Sequence, residues 1–172
     1  MINENTTAKI LEYAKSGFLR DGYRGTSLAY ICEQAGVTTG ALYHRFPSKD
    51  ALFRAIVALA SNELMEKLSY SQTDINVIIP DPCLVLLYSH WDIYRIIIKC
   101  NDAPFYAEFY EMLGKIIYQR YLQRNCGKTP QTYLGSFISK AYLTGFLEII
   151  RCNYDLETAR KSILLLDKFM LV

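Results

Sequence analysis

The stretch Thr26–Phe53, TSLAYICEQAGVTTGALYHRFPSKDALF, admits few folds, because several helix starts and stops are written into one short run. Ser27 can cap a helix on which Leu28, Ile31, Cys32 and Ala35 recur at three- and four-residue intervals and so share one face. Gly36 stands where a sharp turn needs positive φ, and Val37 supplies an apolar plug between this helix and the next. Thr38 offers a second hydroxyl cap, to a helix from Thr39 to about Arg45 with Ala41, Leu42 and Phe46 facing inward. Its other face carries Thr39, Gly40, Tyr43, His44 and Arg45. Small residues at the start of such a helix suit entry into a major groove, with Tyr43 and His44 reaching phosphates. Pro47 ends the helix. Ser48 then caps another and puts Lys49 in its first turn, where backbone amides and a cation together favour a phosphate.

A glycine turn between two short helices also fits a plain helical hairpin, so the pattern alone leaves both readings open. The whole block is more specific. An apolar first helix, T-S, an A-G-V turn, G-x-L-Y-x-x-F and S-K-x-x-L-F follow one another here, and together they resemble the DNA-binding domain of the tetracycline-repressor (TetR) family. The resemblance covers roughly Thr6 to Ala58. It implies that Thr26, Ser27, Tyr43, His44 and Lys49 touch phosphates and that Thr38, Thr39 and Gly40 lie against base edges. No Arg or Gln stands among the base-facing positions, so bidentate base contacts are absent from this set and modest sequence specificity is expected.

Elsewhere the chain reads as helices throughout. The first is expected from about Thr6 to Asp21, with Ile10, Leu11, Ala14 and Phe18 in one stripe and Gly22 as its stop. A long helix follows from Lys49 to about Tyr70, and Pro80 and Pro82 prevent a regular helix across the segment after it. Two short helices are expected between Pro82 and Cys100, broken near His90 and Trp91 with Asp92 capping the second, with one continuous helix as the alternative. Further helices are expected from Phe105 to about Asn125, Thr132 to Cys152 and Leu156 to Met170, with a turn over Gly127–Pro130 and Asp155 capping the last helix. The expected fold is all-α: an N-terminal three-helix helix-turn-helix DNA-binding domain (residues 1–48) plus a C-terminal helical bundle domain (49–172) for dimerisation and effector binding. The bundle opens with a bridging helix over about 49–70.

Composition agrees with a buried core, since 51% of the 172 residues are hydrophobic and 21% charged. The net charge of +2 sits in the first part: residues 1–54 hold seven Lys or Arg against five Asp or Glu, and the remainder holds twelve of each. So small an excess implies modest, salt-sensitive affinity for DNA. No run of about 18 apolar residues suggests a membrane span, and the start MINENTTAKI lacks a signal-peptide pattern, so a cytoplasmic protein without a membrane partner is expected. The five scattered cysteines, 32, 83, 100, 126 and 152, read as reduced core residues and not as disulfides or metal ligands. Neither His44 nor His90 has a partner at triad or metal spacing, and no phosphate loop is present. No catalytic residue, metal or cofactor is therefore expected.

The helices over about 132–170 carry more apolar surface than one small core needs, among it Phe137, Leu164 and Phe169. They are the expected homodimer interface, which is also what the resemblance implies. A dimer would place two helix-turn-helix units about 34 Å apart on a palindromic double-stranded DNA operator. The C-terminal part holds most of the fourteen tyrosines, including Tyr88, Tyr94, Tyr106, Tyr110, Tyr118, Tyr121 and Tyr142, and these, together with Trp91, either line a pocket for a small apolar or aromatic effector or form the bundle core. The resemblance implies a repressor released by such an effector through a tilt of the bridging helix. The alternative is an interaction module or co-activator controlled by a partner protein, without a small-molecule pocket.

Overall fold

The structure is a computed structural model, described here over residues 4–70, 77–125 and 132–169. Among these residues every regular element is an α-helix. They run α1 Glu4–Gly25, α2 Leu28–Ala35, α3 Thr39–Arg45, α4 Lys49–Tyr70, α5 Asp81–Ser89, α6 Trp91–Lys99, α7 Pro104–Arg124, α8 Thr132–Arg151 and α9 Leu156–Phe169. Among the described residues no helix is long and apolar enough to cross a membrane.

The helices sort into two compact units: Met1–Ala60 with Asp92–Ala107, and Ser61–Trp91 with Glu108–Val172. This partition differs from a division at residue 48, and the reason lies in α4. Its first three turns bury Leu52, Phe53 and Val57 in the first unit, and its last turns bury Leu64, Met65 and Leu68 in the second. A helix whose apolar positions change partners along its length belongs to both.

In the first unit an aromatic cluster holds α1 to the start of α4. Phe18 meets Phe53 edge-on at 5.0 Å, Tyr23 meets Phe53 at 5.5 Å, and Phe105 closes on Phe53 at 6.1 Å. The fully buried Tyr94 is part of this core, its hydroxyl donating to the Ala60 carbonyl at 2.7 Å. Gly22 takes φ 74° and ψ −177°, so α1 breaks where its stop was expected, and one further turn carries the chain to Gly25. An L-residue is strained at that φ, which is why glycine stands there.

The second unit is a bundle built on Tyr142, Phe146, Phe109 and Leu113. A polar cluster is buried within it. Arg120 donates to the carbonyls of Leu68 and Val77, each at 3.0 Å, while Asp167 of α9 accepts the Ile78 N–H at 3.0 Å and lies 3.4 Å from Arg124. These bonds hold both ends of the α4–α5 connection. Burial raises the Asp167 carboxyl above its ordinary value despite that neighbouring guanidinium. Trp91 stacks on Tyr88 at 4.4 Å and donates to Asn153, so both rings serve the turn before α9. Asp155 caps α9 as expected, accepting the Thr158 N–H at 2.8 Å.

Cys32, Cys83 and Cys100 are buried free thiols, and burial pushes Cys100 up to about 12. Cys152 differs from expectation. It is exposed just past α8, which ends at Arg151; the buried face of the helix closes at Ile149 and Ile150, and Arg151 and Cys152 turn to solvent. Cys126, the Gly127–Pro130 turn and Met170 lie outside the described residues.

Candidate nucleic-acid interface

The helix-turn-helix forms as its caps dictate. Ser27 Oγ accepts the Tyr30 N–H at 3.2 Å, and Thr38 Oγ1 accepts the Ala41 N–H at 3.1 Å. Between the helices Gly36 takes φ 67°, ψ 37° and sends its N–H to the carbonyls of Cys32 and Glu33. Ile31, Cys32 and Ala35 of α2 are buried, as are Leu42 and the capping Phe46 of α3. The opposite side of α3 is open: Thr39, Gly40, Tyr43, His44 and Arg45 are all exposed, with Thr38 beside them. A Cβ on Gly40 would meet nothing nearer than Thr38 Oγ1 at 4.0 Å, so the start of α3 presents bare backbone.

Ser27 is exposed at the start of α2, its oxygen accepting the cap bond and its O–H left to donate. Thr26 is a correction to the sequence reading. It is only 4% exposed, its hydroxyl donates to the Gly22 carbonyl at 2.7 Å, and its own N–H bonds the same oxygen, so no donor remains for a phosphate. Lys49 is likewise turned inward. Its ammonium donates to the carbonyls of Thr26 at 2.7 Å and Arg24 at 3.4 Å and lies 5.1 Å from the centre of the Tyr23 ring. Burial holds its pKa below the ordinary lysine value. The first turn of α4 was expected to aim this cation outward, yet the carbonyls left free at the α1–α2 corner lie closer. Capping that corner stiffens the entry into α2.

The other basic side chains of this unit are largely paired: Arg20 with Asp21, Arg24 with Asp102, Arg54 with Asp50 and Lys15 with Asp92. Arg45, by contrast, is exposed at the end of α3 without an ion pair among the described residues. Sequence reasoning placed it on the outer face but gave it no role; the absence of any acidic residue between Glu33 and Asp50 was the available signal. Tyr30 is a second addition. It is 40% exposed on α2 with the Arg20 guanidinium 5.5 Å over its ring, an arrangement that only the packing of α1 on α2 creates.

Residues 10–56, which contain this whole device, match the family model for bacterial regulatory proteins of the tetR family. This segment is a TetR-family helix-turn-helix domain. Over 52 residues the chain is 38% identical to the HTH-type transcriptional regulator UidR of Escherichia coli K12, covering 30% of this chain and 26% of that protein. It is 43% identical over 54 residues to the HTH-type transcriptional regulator TtgR of Pseudomonas putida, covering 31% and 26%. The chain thus spans about a quarter of the length of the curated TetR-family relatives it matches. The fold likeness is wider: a TetR-family transcriptional regulator from Bordetella parapertussis superposes with a TM-score of 0.74 over 95% of each chain, at 19% identity. The all-α TetR fold therefore extends beyond the matched segment.

Described residues of the second unit line two grooves. One, of about 480 Å³, runs between the segment 77–80, α5 and α9; it is lined by apolar side chains such as Ile79, Leu84 and Ile163, and Asp81 and Arg160 pair with each other at its rim. The other, of about 270 Å³, lies between α7 and α8. Of the tyrosines weighed as pocket or core, Tyr110 and Tyr118 line this second groove, whereas Tyr121 and Tyr142 are core.

Proposed function

We propose that the chain is a dimeric transcriptional regulator that binds a palindromic double-stranded DNA operator through α3 and represses until a small molecule binds its second unit. The observation that carries the DNA reading is the outer face of α3. Thr39 and Gly40 stand at a capped helix start, where backbone and short side chains can approach base edges, and Tyr43, His44 and Arg45 follow where phosphates run. Thr38 and Ser27 extend this face. Thr26 and Lys49 support it from behind by fixing the corner between α1 and α2.

Dimerisation through α8 and α9 is supported by the apolar side chains these helices leave in solvent. Phe137 is 69% exposed, Phe169 75%, and Leu134, Leu164 and Leu165 are also exposed. Such a surface is costly to leave uncovered. Effector control is supported by the two grooves, and α4, which contributes to both units, supplies a covalent route from a ligand to the DNA-binding face. The reading places the protein in the cytoplasm, as a regulator and not an enzyme.

The test is binding of the purified protein to the DNA upstream of its own gene, followed against salt beside a scrambled duplex. Sequence-preferring binding by a dimer, falling steeply with salt, is the expected result. Equal binding to both duplexes at low salt, with the dimer intact, would overturn the operator reading in favour of control through a protein partner.

A further inference from the structure

We infer that the α7–α8 groove is a binding site for a small aromatic monocarboxylate, held at its anionic end by Lys115 and Lys140 and at its ring by Tyr110 and Tyr118. The inference rests on reading the second unit as an effector-binding domain and goes on to name the site and the ligand class.

Four observations carry it. Lys115 on α7 and Lys140 on α8 line the groove from opposite walls, and neither has an ion pair among the described residues. Glu111 is the third charge of the lining, so the groove carries a net single positive charge and favours a monoanion over a dianion or a cation. Ser139, also in the lining, is 3% exposed and its hydroxyl has no hydrogen-bond partner among the described residues. A buried hydroxyl left unmet is costly, and a ligand oxygen reached by a small shift of the groove wall would satisfy it. The remaining surface is mostly apolar or aromatic, from Leu143, the backbone of Gly114 and the two tyrosine rings, with Ser136 as its one further polar residue.

Size narrows the class. About 270 Å³ lies just below the range of about 300–1,000 Å³ usual for ligand pockets, which suits a one- or two-ring acid and not a larger amphiphile. Depth comes from Gly114, where a Cβ would already stand 3.4 Å from Leu143 Cδ2. The larger α5–α9 groove offers no comparable recognition, because its charged groups, Asp81 and Arg160, satisfy each other at 2.5 and 3.1 Å.

The experiment is calorimetric titration of the full chain with 1-naphthoate, benzoate and phenylacetate, with 1-naphthamide as the neutral match. At least one carboxylate is expected to bind, at least tenfold more tightly than the amide. Its affinity should fall at least tenfold in the double variant Lys115→Glu, Lys140→Glu, and should disappear in Gly114→Met, which fills the groove with a good helix former. Ser139→Ala should weaken binding several-fold. Failure of all three carboxylates to bind would overturn the assignment, as would binding unchanged in both the double variant and Gly114→Met. Operator binding is measured on the same preparations. Sequence-preferring DNA binding without carboxylate binding sinks the groove alone, whereas carboxylate binding without it sinks the regulator reading and leaves the groove standing.

Discussion

The ammonium of Lys49, at the start of α4, donates across 2.7 Å to the carbonyl of Thr26, the residue that enters α2. One charged hydrogen bond thereby ties two elements distant in sequence and sets the angle at which the helix-turn-helix leaves α1. A charge-assisted bond of this kind is worth about 1–3 kcal/mol, toward the lower end where the lysine is half-exposed. Lys49→Met should lower the melting temperature and weaken operator binding while leaving its salt slope unchanged. A slope reduced by about one unit per half-site would return Lys49 to direct phosphate contact.

Arg45 is expected to behave in the opposite way. It is exposed and unpaired among the described residues, so Arg45→Ala should leave stability within about 0.5 kcal/mol. Affinity should fall uniformly for all duplexes, and the salt slope should drop by about one unit per half-site. Titrations at several salt concentrations read this directly, and Tyr43→Phe should weaken binding uniformly with no change in slope.

Gly40 separates folding from recognition. In the free protein a Cβ there meets open space, so Gly40→Ala should keep or slightly raise the melting temperature by removing a helical glycine, worth up to about 1 kcal/mol. On DNA the same methyl would stand between α3 and the base edges. Loss of specific binding with stability intact is the expected outcome, and full retention of operator affinity would move Gly40 out of the interface.

Gly36 tests the turn itself. Its φ of 67° is left-handed and nothing lies within 4 Å of an added Cβ, so Gly36→Ala carries a purely conformational cost of about 1–2 kcal/mol. For a chain of this size that corresponds to a melting temperature lower by roughly 2–8 °C. An unchanged transition would show that the turn relaxes without penalty.

Asp167 predicts a pH dependence in the second unit. Because burial raises its folded-state pKa above the unfolded value, the folded protein holds that proton more tightly. Its contribution is therefore fully present at a pH below the unfolded carboxylate value, and stability is lost as pH rises through the folded one. Asn in its place keeps an acceptor for the Ile78 N–H and cannot titrate. Urea denaturation of Asp167→Asn from pH 4 upward should lack the decline seen in the native chain, and parallel curves would rule out this group as its source.

Most of the fold was legible because local chemistry dictates it. Hydroxyl caps at Ser27, Thr38 and Ser48, the left-handed glycines 22 and 36, and the break near His90 act within a few residues of themselves and need no partner from afar. The exposed face of α3 followed from the same periodicity that buries Leu42 and Phe46. The side chains that depart from expectation all depend on distant neighbours. Thr26 turned inward because the carbonyl of Gly22 lay within reach, and Lys49 because the α1–α2 corner left carbonyls uncapped. Nothing in the local sequence marks Arg120 or Asp167 for burial, since their partners at Leu68, Val77 and Ile78 arrive from other elements. The division of α4 between two units is of the same kind. Sequence by itself determined where helices start, stop and turn their apolar faces, because those choices are settled over one or two turns of chain. Tertiary structure alone decided which charged groups remain free to meet DNA or a ligand, because a long side chain goes to whichever unsatisfied partner packing brings nearest.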